Sequence, residues 1–145
     1  MEASFEAIGM NGLVFDPRPA VIVSRCLLGI PCRYHGSGTV MGRHIGRPAL
    51  IAKLRQKYEI LDVCPEVDAG LPIPRAPIRI VRGRAQYDGK DITEQLLRTA
   101  CTIRDLARSR RCGVAYMLKN SPTCDPTFGL CGRLLRESGI KVVGV

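Results

Sequence analysis

The sequence predicts an α/β domain: a Rossmann-like, three-layer arrangement with a largely parallel sheet between helices. Short β-branched runs alternate with amphipathic segments, the pattern of successive βαβ units. The run Ala20–Ser24 is apolar without alternation, as a strand covered on both faces must be. A parallel sheet binds its ligands in the crevice beyond the carboxyl ends of its strands, so the site is expected there.

Residues 1–19 end in Phe-Asp-Pro-Arg-Pro and read as an N-terminal extension, with one domain over 20–145. Ala20–Ser24 is the first strand, and a polar loop with Gly and Pro follows through Gly42. Pro48 suits the first turn of a helix whose apolar stripe is Leu50, Ile51, Leu54 and Tyr58. Glu59–Val63 is a second strand. Between 64 and 77, Pro65, Pro72, Pro74 and Pro77 argue against regular structure. Ile78–Val81 and Arg84–Tyr87 form a hairpin around Arg82-Gly83. Asp91 is expected to cap a helix with Glu94 three positions on, and Leu96, Ala100, Ile103 and Ala107 give it one buried face. Gly113–Leu118 is a third core strand, Leu130–Ser138 a helix ended by Gly139, and Ile140–Val145 the last strand.

The 145 residues suit one domain, and 46% hydrophobic with 24% charged content is that of a globular chain. No apolar run approaches the roughly 20 residues that span a bilayer, and the N-terminus lacks a basic start with an apolar core, so a cytoplasmic location is expected. The net charge of +9 suits a polyanionic partner such as RNA, or simply a basic surface. Aromatic residues are few (four Tyr, three Phe, no Trp), with no aromatic–basic alternation of the kind that stacks exposed bases.

The seven cysteines carry more information. An odd number without an export signal argues against a disulfide framework. Cys26 follows the first strand by two residues, Cys64 follows the second directly, and Cys124 lies in the turn after the third. In a parallel sheet all three occupy one rim. They are then either ligands of a shared metal site or three unrelated thiols, and without a CxxC pair the spacing does not decide. Three thiolates would be one short of a closed set, leaving a metal position open for Lewis-acid chemistry. Cys101 reads as core, Cys112 as a helix-end residue and Cys131 as helix packing or a fourth ligand; Cys32 shares the loop of Cys26 and could line the site.

Three long motifs occur in order: Ser24-Arg25-Cys26-Leu27-Leu28-Gly29 with Cys32-Arg33-Tyr34-His35-Gly36, then Cys64-Pro65-Glu66-Val67 with Gly70-Leu71-Pro72-Ile73-Pro74-Arg75, then Leu118-Lys119-Asn120-Ser121-Pro122-Thr123-Cys124. Together with Asp88–Thr93 they resemble a small bacterial family, formerly of unknown function, that includes the iron–sulfur thiouracil desulfidases. The resemblance runs from about Val21 to Val145. It implies a four-iron four-sulfur cluster on Cys26, Cys64 and Cys124, with one iron free to take sulfur from a thiolated nucleobase. It also implies acid/base or substrate-contact roles for Glu66 and Ser121. The chain departs from the family pattern at His35, where Asp is usual, and in a shorter stretch after Cys124, where members carry a glycine-rich insertion.

The implied reaction is non-redox desulfuration releasing hydrosulfide, with Glu66 taking a proton from water and Ser121 hydrogen-bonding the base or the sulfur. On the residues alone, Glu66 could equally pair with an arginine, and Ser121 could serve its turn. Arg75, Arg33 and Lys119 are the candidate substrate contacts, Arg75 being placed to hold either an anionic substrate group or a carboxylate of the protein. Two alternatives stay open: desulfuration of thiolated tRNA, and an RNA- or phosphate-binding module with a structural metal.

Overall fold

A computed structural model describes residues 18–36, 39–40 and 43–145, with 39, 40, 43 and 44 as backbone. The expected extension therefore lies outside the described residues, except for Arg18 and Pro19. The chain opens with β1 (Ala20–Ser24) and a 3-10 turn at Arg25–Leu28, followed by a two-stranded ribbon of β2 (Thr39–Val40) and β3 (Arg43–His44). Helix α1 (Pro48–Arg55) leads to β4 (Glu59–Val63) and a short helix α2 (Pro65–Asp68). An antiparallel sheet of β5 (Arg79–Val81), β6 (Arg84–Tyr87) and β7 (Lys90–Asp91) precedes α3 (Thr93–Ser109). Then come β8 (Val114–Met117), α4 (Leu130–Glu137) and β9 (Lys141–Gly144).

Four strands form the central sheet in the order β4-β1-β8-β9, all parallel. β1 is buried along its whole length, and its alternate side chains serve two cores. Ala20 and Ile22 pack with Ala100, Ile103 and Ala107 of α3 and with Leu135 of α4. Val21 and Val23 pack with Ile51 and Leu54 of α1 on the other side. The expected three layers follow from that division. Burying a side chain such as Ile22 or Leu135 contributes about 1.5–3 kcal/mol, so this strand supplies much of the core's cohesion. The chain leaves β1 toward β4 on one side and later returns to β8 on the other. The topological switch therefore falls beside the carboxyl end of β1.

The sequence expectation holds for β1 and β4 residue for residue, and for the α3 stripe Leu96, Ala100, Ile103 and Ala107, all buried. Elsewhere the structure corrects it. The proline-rich stretch contains a helical turn, because Pro65 occupies a first-turn position where no N–H is needed and Asp68 Oδ2 accepts the Cys64 N–H at 3.1 Å. Helix α3 begins at Thr93, not Asp91, because the backbone of Asp91 pairs with Gln86 in β7. The Asp91 carboxylate still accepts the Thr93 N–H at 3.0 Å, while Glu94 turns to Arg84 rather than back to the helix start. Cys101 is half-buried rather than core, and Cys112 is buried with its thiol donating to the Val114 carbonyl at 3.1 Å. Among the described residues no helix is long and apolar enough to cross a membrane.

Arg84, with the Thr93 hydroxyl and N–H, holds the Asp91 carboxyl down at about 2. A depressed folded-state value gives stability that is full above the unfolded value of about 3.9 and is lost as pH falls through about 2. Asp91→Asn should therefore unfold at lower denaturant than the parent at about pH 6, and the gap should close by about pH 2. Denaturant titrations of both proteins at the two pH values check this.

Candidate cluster site

The pocket at the switch point has an empty volume of about 530 Å³ counted out to its open mouth. Three strand ends build it. Cys26 sits in the 3-10 turn after β1, which closes with the Gly29 N–H on the Cys26 carbonyl at 3.0 Å and Gly29 at φ +89°. Arg25 ties this turn to the neighbouring strand end through Asp62 (2.6 Å) and Asp68 (3.0 Å). Cys64 is the residue between β4 and α2, and Cys124 lies in the loop after β8. All three line the pocket and are buried, at 7%, 8% and 6% exposure.

The Cys124 loop is fixed from several directions. Asp125 takes three backbone N–H groups, from Asn120 (2.7 Å), Thr127 (2.8 Å) and Phe128 (3.3 Å). Despite its burial, these donors hold its carboxyl below the usual range. Ser121 Oγ accepts the N–H of Thr123 (3.2 Å) and of Cys124 (3.0 Å). From the other side, the first N–H groups of α4 reach the loop: Cys131 and Gly132 both donate to the Thr123 carbonyl, at 2.8 and 3.0 Å.

A second arm comes from α2 and the proline-rich segment. Glu66, buried, faces the pocket with Oε1 held by Arg75 Nε and a second guanidinium nitrogen, each at 2.8 Å. Glu66 Oε2 accepts the Thr123 hydroxyl at 3.1 Å, across 57 residues of sequence. Arg75 also donates to the carbonyls of Pro72 and Cys32, each at 3.0 Å, and its backbone N–H to the Tyr34 carbonyl at 2.6 Å. Arg75 thus clamps the Cys32–Tyr34 segment to Glu66.

The structure brings Cys26, Cys64, Cys124, Glu66 and Ser121 to one pocket, with Arg33 and Arg75 on its walls. It separates the three candidate substrate contacts. Arg75 bonds the protein's own carboxylate and carbonyls, the second of the two partners the sequence left open. Lys119 is exposed and lies along Gly144 of β9, outside the pocket lining, because the chain turns at Asn120 (φ +64°) before entering the site. Arg33 lines the pocket beside Tyr34, its guanidinium 5.9 Å from the ring centre, and has no carboxylate partner among the described residues. Sequence reasoning missed Thr123 and Ser24. Ser24 is a polar residue at the end of a buried strand whose Oγ accepts the Leu118 N–H at 3.0 Å and so joins β1 to β8 at the rim. That oddity was visible in the sequence as a hydroxyl closing a β-branched run.

The surroundings of Cys32, Cys64 and Cys124 favour the neutral thiol. Burial pushes Cys124 up to about 11, and hydrogen bonding with Cys26 pushes Cys32 up to about 11. Hydrogen bonding with Cys32, then burial, raises Cys64. Buried thiols of this kind become thiolates when a cationic metal centre supplies the missing charge. Among the described residues no three His, Cys, Asp or Glu side chains are gathered as the donors of one metal ion.

Fold and site together define an α/β protein with three buried cysteines and a buried carboxylate around one pocket at the carboxyl edge of a parallel sheet. Residues 21–144 match the family described as 2-thiouracil desulfurase, and the chain belongs to that family. It is similar to the [4Fe-4S]-dependent thiouracil desulfidase TudS, with a TM-score of 0.73 and 29% identity over 88% of this chain and 91% of that one. It is also 26% identical to the uncharacterized protein YbbK of Bacillus subtilis (strain 168), over 85% of this chain and 93% of the relative.

Two expected outcomes follow from the site's packing. The Arg75 and Glu66 side chains are 2% and 11% exposed, so Arg75→Met strands a buried charge and should cost about 3–5 kcal/mol in denaturant unfolding, with Glu66→Gln on that background recovering part of it. A Cβ at Gly132 would lie 2.2 Å from the Cys124 carbonyl oxygen and 2.4 Å from that of Asp125. Gly132→Ala should cost about 1–3 kcal/mol in melting experiments and speed the labelling of Cys124 by a small thiol reagent.

Proposed function

We propose that this protein removes sulfur from a small thiolated nucleobase by hydrolysis, with a four-iron four-sulfur cluster held by Cys26, Cys64 and Cys124. The observation that carries this reading is the convergence of three buried cysteines from three parallel strand ends on the pocket that Glu66 also faces. Family membership and the likeness to TudS support the cluster and the substrate class. When bound, the cluster supplies one iron without a protein ligand, a soft acceptor suited to thiocarbonyl sulfur.

The chain's own residues supply the rest. Water adds its oxygen to the thiocarbonyl carbon as the C=S π pair moves to sulfur; the C–S pair then leaves with sulfur, which takes the remaining O–H proton, so a carbonyl and hydrosulfide form with no net electron transfer. Glu66, buried against Arg75, takes the proton that the attacking water gives up. Ser121 fixes the Cys124 loop through two backbone N–H groups and stands next to Glu66 through Thr123. Arg33, the pocket cation without a carboxylate partner among the described residues, and the ring of Tyr34 flank the base at the mouth.

The test is anaerobic purification followed by iron and sulfide analysis, then sulfide release from 2-thiouracil with a thiolated tRNA assayed in parallel. About four irons per chain and sulfide release from the free base are expected. Serine at any one of Cys26, Cys64 and Cys124 should abolish iron retention. A colourless protein with one zinc per chain, or iron retained by two of the three serine variants, would overturn the reading. Release from tRNA alone would move the substrate to RNA.

A further inference from the structure

Hydrogen-bond bookkeeping around Glu66 identifies which of its oxygens is basic and what aims it. Oε1 accepts the Arg75 Nε–H at 2.8 Å and lies 2.8 Å from a second nitrogen of the same guanidinium, so the cation covers that oxygen. Oε2 accepts one bond, from the Thr123 hydroxyl at 3.1 Å. The lone pair that faces away from the cation is therefore on Oε2.

The Thr123 hydroxyl has a single proton and three neighbours: Glu66 Oε2, Ser121 Oγ at 3.2 Å and Cys124 Sγ at 3.9 Å. The carboxylate is the strongest acceptor of the three, so the proton goes there. Ser121 Oγ already accepts the N–H groups of Thr123 and Cys124, which fills its own lone pairs. Its proton then points to Thr123 Oγ1. The chain runs one way, from Ser121 through Thr123 to Glu66 Oε2. The Thr123 backbone is equally fixed, since its carbonyl holds two N–H groups of α4.

We propose that Glu66 takes the water proton on Oε2 and that Thr123 is the positioning residue that aims the lone pair left on that oxygen. The inference rests on the hydrolytic reading above. In that step an O–H bond of water breaks, its proton moves to Oε2, the oxygen's electron pair forms the bond to the thiocarbonyl carbon, and the C=S π pair moves onto sulfur. Thr123 keeps its proton throughout and acts only by fixing the carboxylate.

Four proteins test this in the cluster-loaded state: the parent, Thr123→Val, Thr123→Ser and Glu66→Gln, with the Thr123→Val/Glu66→Gln double variant closing the cycle. Iron content and melting temperature are measured beside sulfide release from 2-thiouracil. Thr123→Val should keep its iron and lose about 10–100-fold in kcat with KM within about twofold, because a mis-aimed base affects the chemical step and not binding. Thr123→Ser should stay within about threefold of the parent. On the Glu66→Gln background, Thr123→Val should cost less than about twofold more, since a residue acting through Glu66 has nothing left to aim. Additive losses in the cycle, or a serine variant as impaired as the valine one, would overturn the role of Thr123. If Thr123→Val fails to hold iron, the serine variant decides alone. A parent that releases no sulfide from any thiolated base would overturn the hydrolytic reading itself, a result distinct from an active parent with an indifferent Thr123.

Discussion

The parallel pairing of β1 with β4 on one side and β8 on the other is the constraint on which the site depends. In register, Ser24 stands opposite Val63, and Val23 opposite both Asp62 and Tyr116, so the three strands end at nearly one level. A parallel sheet sends every strand out in the same direction, and whatever follows each strand arrives at the same rim. Cys26, Cys64 and Cys124 each follow within a few residues. Their convergence is a property of the sheet before it is a property of any loop. An antiparallel neighbour at either side of β1 would place one thiol at the opposite end of the domain.

Placing thiols there leaves an electrostatic problem that the rest of the site addresses. Burial raises Cys124, and hydrogen bonding with Cys32, then burial, raises Cys64, so both favour the neutral form. A nearby carboxylate would add repulsion to any thiolate. Arg75 offsets that by lying against Glu66 with two of its nitrogens, and it spends its remaining donors on the carbonyls of Pro72 and Cys32. The carboxylate can therefore sit beside the thiols without an uncompensated buried charge. The same contacts stiffen the walls, since Arg75 joins the loop after β1 to the segment after α2. The proline-rich stretch that carries Arg75 keeps it at that junction.

How much of this was legible in the sequence depended on the distance over which each fact is decided. β1 and β4 have the predicted bounds because a five-residue β-branched or alternating run, closed by a turn, carries its own limits. The shared rim of the three cysteines was legible because it needs only strand order and direction. The partner of Arg75 was narrowed to two kinds, substrate or protein carboxylate, and only the packed structure separates them. Thr123 was not singled out, since its importance comes from Glu66, 57 residues earlier, and no local pattern announces a contact of that kind. Helix α2 and the start of α3 were misjudged for a related reason. In each, a tertiary or sheet contact overrode a local rule: Asp68 reaching back to Cys64 in one case, Asp91 held in β7 in the other.

The shortness of the loop after β8 raises the question of what holds Cys124 when so little chain surrounds it. Helix α4 does most of it. Its start lies so close to the loop that Gly129 and Gly132 face the backbone of Asp125 and Cys124 with no room for a side chain. That closeness lets the N–H groups of Leu130, Cys131 and Gly132 reach the carbonyls of Pro122 and Thr123. Helical N–H groups that would otherwise need solvent or a cap are satisfied by the loop they support. One set of contacts therefore fixes both the end of the helix and the Cys124 loop. A longer, glycine-rich loop would need its own internal order to do the same. Here the position of Cys124 is inherited from α4, which is itself seated on α3 and β9 through the core that Cys131 and Leu135 share with Ile103 and Ile140.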